Sequence, residues 1–324
     1  MQFVGIDPHA SQHTVCVLGE TGEVFQQFQV PASEVGFRSL DSRLRRQGAQ
    51  PRHLLIALEA SGVYWVRLAD FLTRQGYGVS IQPPAAIRWF ARSNFLRAKT
   101  DVVDARTLAE YARLKRPPRW QGNRDPRFHE LREWVEYRHQ LVHDQTQWKN
   151  RLHRARVGLS PPEVITHLQE HLSTLRVQLR EVDTSIRPLV QDLGGWALIE
   201  EVPGVGLGVV AAFIALVQDP SRFPSEKHLR SYLGLVPRVR QSGNRPPQTH
   251  LSRMGNPRFR AILWMATLVA TRYHPDLKAY YRRKRDEGKP HKVAMVGAMN
   301  KLTRILFALW RRHYQPEVKN LPTI

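Results

Sequence analysis

The sequence predicts a mixed α/β domain over residues 1–115, a helical coiled-coil segment over 116–195, and a mainly helical, basic region over 196–324. Three observations predict it. In the first third, short apolar runs that end in an acid alternate with helix-spaced segments. After Pro161-Pro162 an apolar seam runs at steps of three and four without a break. Beyond residue 200 the chain carries 22 Lys plus Arg against seven Asp plus Glu, out of 49 and 28 in all 324 residues.

The elements follow in order. Gln2-Phe3-Val4-Gly5-Ile6-Asp7 reads as a strand closing on a carboxylate. Stretches 13–19 and 23–30 read as two more strands, joined through the turn Glu20-Thr21-Gly22. Residues 35–47 have helical spacing. Leu54-Leu55-Ile56-Ala57-Leu58-Glu59 is a buried-type strand, again ending in an acid. Residues 63–75 form a helix closed by Gly76, and 77–82 a strand stopped by Pro83-Pro84. Thr100-Asp101-Val102-Val103-Asp104 opens a further helix, with Thr100 or Asp101 as its cap. Residues 116–127 have the composition of a linker. Residues 128–157 are helical, and the seam after them uses Ile165, Leu168, Leu172, Leu175, Leu179, Val182, Ile186 and Leu189. That seam pairs with 128–157 or with a second chain, and a homodimer or higher homo-oligomer is the favoured expectation.

Composition narrows the function. The length suffices for two domains with sizeable cores. The net charge is +21 and the sequence pI about 10.8. Such an excess attracts polyanions, and nucleic acid is the usual one. Cys16 is the single cysteine, which excludes an internal disulfide or a multi-cysteine zinc site. No signal-peptide pattern opens the chain. The longest uncharged apolar stretch, Val202 to Val217, contains Pro203 and three glycines and is short for a membrane span. A cytoplasmic protein with no membrane partner, acting on DNA or RNA, is expected.

Four carboxylates suggest chemistry. Asp7 and Glu59 end predicted strands, at the sheet edge where ligands bind in open α/β sheets. Asp101 and Asp104 are three apart at a helix start and share a face. Converging carboxylates repel unless a cation lies between them. Hard oxygen donors suit Mg²⁺ or Mn²⁺, and a pair of such ions can polarise a phosphodiester. Singly, Asp7 also reads as a turn residue, Asp101 as a cap and Asp104 as a solvated position. Glu59 resists that reading, because a charge ending a buried strand needs a partner.

Other segments suit nucleic acid. Ser242 sits before Gly243 in a polar loop, with Arg238, Arg240 and Arg245 near enough in sequence to neutralise a phosphate. By composition Ser242 is a turn residue, and Ser252 is a competing candidate that also reads as a helix cap. Val202-Pro203-Gly204-Val205-Gly206 before an apolar helix resembles a helix-hairpin-helix, whose glycines Gly204 and Gly206 expose N–H groups, or else a tight packing turn. Arg88, Trp89, Arg92, Arg97 and Lys99 interleave bases with aromatics. Arg282, Arg283, Lys284 and Arg285 form a dense basic block. His139/His143 and His167/His171 are four apart but lack a third ligand for zinc.

The strand ending Gly-Ile-Asp7, the run Glu59-Ala-Ser-Gly-Val-Tyr64 and the run Lys99-Thr-Asp-Val-Val-Asp-Ala-Arg-Thr-Leu-Ala109 resemble the DEDD insertion-sequence transposases. That group includes the pilin-gene invertases and the bridge-RNA-guided recombinases. The resemblance continues through Ile199 to Gly206, Tyr232 to Pro237 and Leu251 to Asn256, with Arg260 and Leu263, and covers nearly the whole chain. It implies an RNase H-like (RuvC-like) α/β domain whose metal-binding acids are Asp7, Glu59, Asp101 and Asp104, and a mainly α C-terminal transposase domain. It implies that Ser242 attacks DNA to form a phosphoserine linkage, with Mg²⁺ or Mn²⁺ at the acids. It further implies a guide (bridge) RNA as partner beside DNA, in a bacterial, nucleoid-associated setting. Two other readings remain: a RuvC-type metal-dependent nuclease with a water nucleophile, and a non-catalytic nucleic-acid-binding scaffold.

Overall fold

A computed structural model describes residues 1–46, 50–94, 100–120, 125–240, 248–251 and 255–316, with backbone alone at 237–240 and 248–250. The chain divides into two compact units, Met1–Arg124 and Asp125–Ile324.

The first unit is a five-stranded mixed sheet with helices on both faces. Its strands are β1 (Gln2–Pro8), β2 (Gln12–Leu18), β3 (Val24–Pro31), β4 (Leu54–Glu59) and β5 (Gly78–Gln82). Their spatial order is β3-β2-β1-β4-β5. β1, β2 and β3 pair antiparallel, while β4 runs parallel to both β1 and β5. Strand alternation sorts the residues to two faces. Val4, Ile6, Val15, Val17, Ile56, Leu58 and Val79 pack with residues of α1 (Glu34–Arg46) and α2 (Tyr64–Arg74). Phe3, Leu55 and Ala57 face the other way, with Ile87 of α3 (Pro84–Ser93) and Leu108 and Ala112 of α4 (Asp101–Lys115). Cys16 is buried on that face beside Ala105 and Ala109, the small core residue its setting predicts.

Residues 116–120, which read as a linker, continue this unit. The Trp120 N–H donates to the Val79 carbonyl (2.6 Å), Ser80 Oγ donates to the Pro118 carbonyl (2.7 Å), and the Trp120 ring meets Trp65 edge-on. The helix α3 is also new. Pro83-Pro84 reads as a strand stop, and it is one, but Pro84 also occupies the first helical turn, where proline is favoured.

The second unit is helical apart from one small ribbon. Its long helices are α5 (Arg127–Val157) and α6 (Pro162–Asp192). After them come α7 (Trp196–Glu201), α8 (Leu207–Val217), α9 (Glu226–Tyr232), the antiparallel strands β6 (Pro237–Arg240) and β7 (Gln248–Leu251), α10 (Pro257–Tyr273), α11 (Pro275–Asp286) and α12 (His291–His313). One apolar core joins α5, α6, α8, α10 and α12. The seam expected to join two chains is used within this one. Leu172, Leu175, Val182, Ile186 and Leu189 are buried, α6 packs on α5 and α8, and Arg138 Nε donates to Asp183 Oδ1 at 2.6 Å. The seam therefore carries no argument for a dimer. α12 is long and apolar enough to cross a membrane by composition, yet Met295, Met299, Leu302, Leu306, Phe307 and Trp310 are buried in this core.

Candidate active site

The site starts with a glycine. Gly5 lies at the centre of β1, and α4 crosses directly over it. A Cβ built there would fall 2.0 Å from the Ala105 carbonyl oxygen and 2.3 Å from the Ala109 nitrogen. Only a residue without a side chain admits so close a helix, and α4 answers with small residues at Ala105, Ala109 and Ala112. The crossing sets the N-terminal turn of α4 over the C-terminal end of β1. Thr100 caps that turn, its hydroxyl accepting from the Val103 N–H at 3.3 Å.

Asp7 ends β1 on the α4 face and is buried to 8% exposure. Burial raises its pKa above the usual carboxylate value; His9 lowers it, and the negative charges of Asp104 and Asp101 raise it further. Asp7, Asp101 and Asp104 thus crowd one place. Glu59 closes β4, one step beyond the parallel pair Ile6–Leu58, so it ends beside Asp7 at the same sheet edge. Its alternation with Leu55 and Ala57 puts it on the α4 face as well. Of the four acids predicted from sequence, Asp7 and Asp101 bring ligand atoms within 4.8 Å of each other, Asp104 acts on Asp7 through its charge, and Glu59 ends the neighbouring strand at the same sheet edge.

The sequence reading missed His9. It lies in the three-residue turn between β1 and β2, where its N–H donates to the Gln12 carbonyl at 3.2 Å. Its Nε2 sits 3.1 Å from Asp7 Oδ2 and 3.4 Å from Asp101 Oδ1. Among the described residues, Asp7, His9 and Asp101 form a group with ligand atoms within 4.8 Å of one another, able to hold a metal ion.

The donor set fits a divalent cation. It is mainly carboxylate oxygen, it is convergent, and its most buried member resists ionisation without a nearby positive charge. Bound there, such an ion supplies Lewis-acid polarisation of a phosphoryl oxygen.

The other predicted residues scatter. Ser242 and Arg245 lie outside the described residues, as do Arg97, Lys99 and Ser252. Arg238 and Arg240 lie on β6, where only the backbone is described. On α3, Arg88, Trp89 and Arg92 face solvent, Trp89 at 55% exposure, while Ile87 and Phe90 turn inward and Phe90 meets Tyr111 edge-on. Gly204 adopts φ +91°, and a Cβ there would lie 2.9 Å from the Ala270 nitrogen. Packing against α10 and a left-handed turn therefore account for Gly204. Gly206 is exposed at the start of α8 with open space where a Cβ would be. On α11, Arg282, Arg283 and Arg285 are exposed; Lys284 and Arg283 pair with Glu287, and Lys284 lies over Tyr280. Neither histidine pair of α5 and α6 gathers a metal set among the described residues; His171 packs on Trp148 at 3.9 Å between ring centres.

Comparison with known proteins gives this corner a context. A family model described as "Transposase", for DEDD transposases of the IS110 type, matches residues 4–161. A second, described as "Transposase IS116/IS110/IS902 family", matches residues 197–282. The chain is 27% identical over 316 residues to the pilin gene-inverting protein of Moraxella lacunata, covering 96% of each. It is 22% identical to a protein of insertion element IS116 from Streptomyces clavuligerus, over 95% of this chain and 94% of that one. It is 27% identical to the transposase for insertion sequence element IS1111A of Coxiella burnetii, over 48% of this chain and 44% of that one. With one model running from β1 through α5 and the other over the later helices, the chain belongs to the IS116/IS110/IS902 family of transposases.

Proposed function

We propose that this transposase cuts and rejoins DNA through a covalent Ser242–phosphate linkage, beside divalent cations held by Asp7, Glu59, Asp101 and Asp104. The observation that carries the reading is the close crossing of α4 over Gly5, which sets Asp101 and Asp104 against Asp7 at the end of β1. The sheet order β3-β2-β1-β4-β5 supports an RNase H-like reading of this unit. Membership of a transposase family, and a full-length relative named for inverting a gene, support DNA rearrangement as the outcome.

The roles divide by residue. Ser242 Oγ forms a new P–O bond as the bond to the departing deoxyribose oxygen breaks; the serine proton leaves to a base and the departing oxygen takes one up. The phosphodiester energy is kept in the phosphoserine, so rejoining needs no nucleotide cofactor. Arg238, Arg240 and Arg245 neutralise the phosphate from the same loop. Arg88, Trp89 and Arg92 offer a stacking and phosphate-binding face on α3, joined in sequence by Arg97 and Lys99. Gly206, Arg282, Arg283, Lys284 and Arg285 grip backbone phosphates in the second unit. A structured guide RNA, which the family resemblance implies, is the second polyanion for a region with 22 bases against seven acids. A homo-oligomer brings acids and serine together if one chain alone does not.

The test is a DNA-strand transfer assay read on a denaturing gel. A protein–DNA adduct that persists in denaturant, requires a divalent cation and disappears in Ser242→Ala is expected. Cleavage that survives Ser242→Ala overturns the serine mechanism in favour of a water nucleophile. DNA binding without cleavage in the unaltered protein, with Mn²⁺ and the guide RNA present, overturns the catalytic reading.

A further inference from the structure

The geometry points to His9 as a direct nitrogen ligand of a divalent cation shared with Asp7 and Asp101, biasing the site towards Mn²⁺ over Mg²⁺. This rests on the reading of the corner as a metal site and adds a donor of a different chemical kind. Two donors bound to one ion at about 2.1 Å and at right angles lie about 3 Å apart. His9 Nε2 lies 3.1 Å from Asp7 Oδ2 and 3.4 Å from Asp101 Oδ1. His9 Nε2 therefore stands at the spacing of a neighbouring ligand from both carboxylates, whose own ligand atoms lie within 4.8 Å of each other.

Three further features favour the assignment. Asp7 ends on the α4 face of β1, and His9, in the turn just after it, reaches Asp101 at the start of α4. The Pro8–His13 pair and the His9 N–H to Gln12 bond fix the turn that carries the imidazole. The His9 and Asp101 side chains are 48% and 49% exposed, so an ion reaches them from solvent, while Asp7 at 12% anchors the site from below. Imidazole nitrogen suits transition ions, whereas Mg²⁺ demands oxygen and holds its waters. A nitrogen in the set therefore discriminates between two ions that four carboxylates alone accept similarly.

The experiment uses the full chain with Mn²⁺ alone and Mg²⁺ alone. Pulsed EPR of the Mn²⁺-loaded protein should show coupling to an imidazole ¹⁴N, and His9→Gln should abolish it. Calorimetry should show Mn²⁺ affinity falling about ten- to a hundredfold in His9→Gln, with a smaller fall for Mg²⁺. Circular dichroism of His9→Gln should match the unaltered protein, because the residue lies in an exposed turn. Absent ¹⁴N coupling, or tighter Mn²⁺ binding in His9→Gln, overturns the assignment and marks His9 as a hydrogen-bonding counterion that the metal displaces. Asp7→Asn separates the two levels. Mn²⁺ binding lost in Asp7→Asn but unchanged in His9→Gln removes only His9 from the set. Binding indifferent to Asp7→Asn removes the metal site altogether.

Discussion

Replacing Gly5 by alanine tests the packing on which the site depends. The added methyl would sit 2.0 Å from the Ala105 carbonyl oxygen, where ordinary contact begins at 3.4 Å. The second obstacle, the Ala109 nitrogen at 2.3 Å, is also main chain of α4, so no side chain can swing aside. The helix must retreat from β1 by more than about 1 Å, or β1 must bow. Overpacking of this kind costs about 1–3 kcal/mol, and two backbone obstacles place it at the upper end. Asp101 and Asp104 travel with the helix, and misplacement by about 1 Å can cost a hundredfold in a positioned reaction. Hydrogen exchange read by mass spectrometry should show amides of β1 and α4 opening on the order of a hundredfold more often. Mn²⁺ affinity should fall with it. Unchanged exchange in β1 and α4, together with Mn²⁺ affinity within twofold of the original, would refute the claim that this contact builds the corner.

Three further outcomes are expected. His13 is buried, its two ring nitrogens lack hydrogen-bond partners among the described residues, and burial lowers its pKa to about 4 from 6.5. Between those values the unfolded chain binds a proton that the folded chain refuses. Its contribution is therefore full above about pH 6.5 and is lost as pH falls towards 4, by up to about 3 kcal/mol; His13→Leu should flatten that part of the acid-side loss in urea titrations. Trp89→Ala should weaken binding of single-stranded nucleic acid by about 1–3 kcal/mol with little change in stability, whereas Phe90→Ala, one residue on and buried, should destabilise the first unit by about 3 kcal/mol or more; equal effects from both would sink the stacking role. Asp125 is buried and takes three hydrogen bonds from the Arg127 guanidinium, which also donates to the carbonyls of Asp192 and Gln315. Asp125→Asn should destabilise the second unit by about 2–3 kcal/mol, read as a lower urea midpoint at unchanged slope.

Strands β1, β2, β4 and β5 were legible because burial on two faces leaves largely apolar runs, as in Leu54–Glu59, and because each run stops at a turn or an acid. The cap at Thr100 was legible because short oxygen-bearing side chains do one job there. The nearness of Asp7 and Asp101 was legible, since a strand end and a helix start meet at one sheet edge. His9 was not, because a turn residue shows no period and its meaning depends on what α4 brings near. The helix α3 was hidden by Pro84, which marks a strand's end and a helix's first turn alike. The seam from Ile165 to Leu189 gave the helix and left two partners open, of which the structure shows the one within the chain, α5. Periodicity fixes which face is buried and says nothing about whose surface buries it. The loop at Ser242 was singled out by its charge and by the family resemblance, since a polar turn carries no periodic pattern of its own.

The docking of α4 also orders events in time. A ribosome that has released only the first hundred residues has delivered Asp7 and Glu59 but not their two companions. The surface of Phe3, Leu18, Leu55 and Ala57 that α4 covers is then bare. The growing chain is greasy at that stage. One and the same segment covers that apolar face and brings Asp101 to Asp7, so the domain and its acidic corner are completed together.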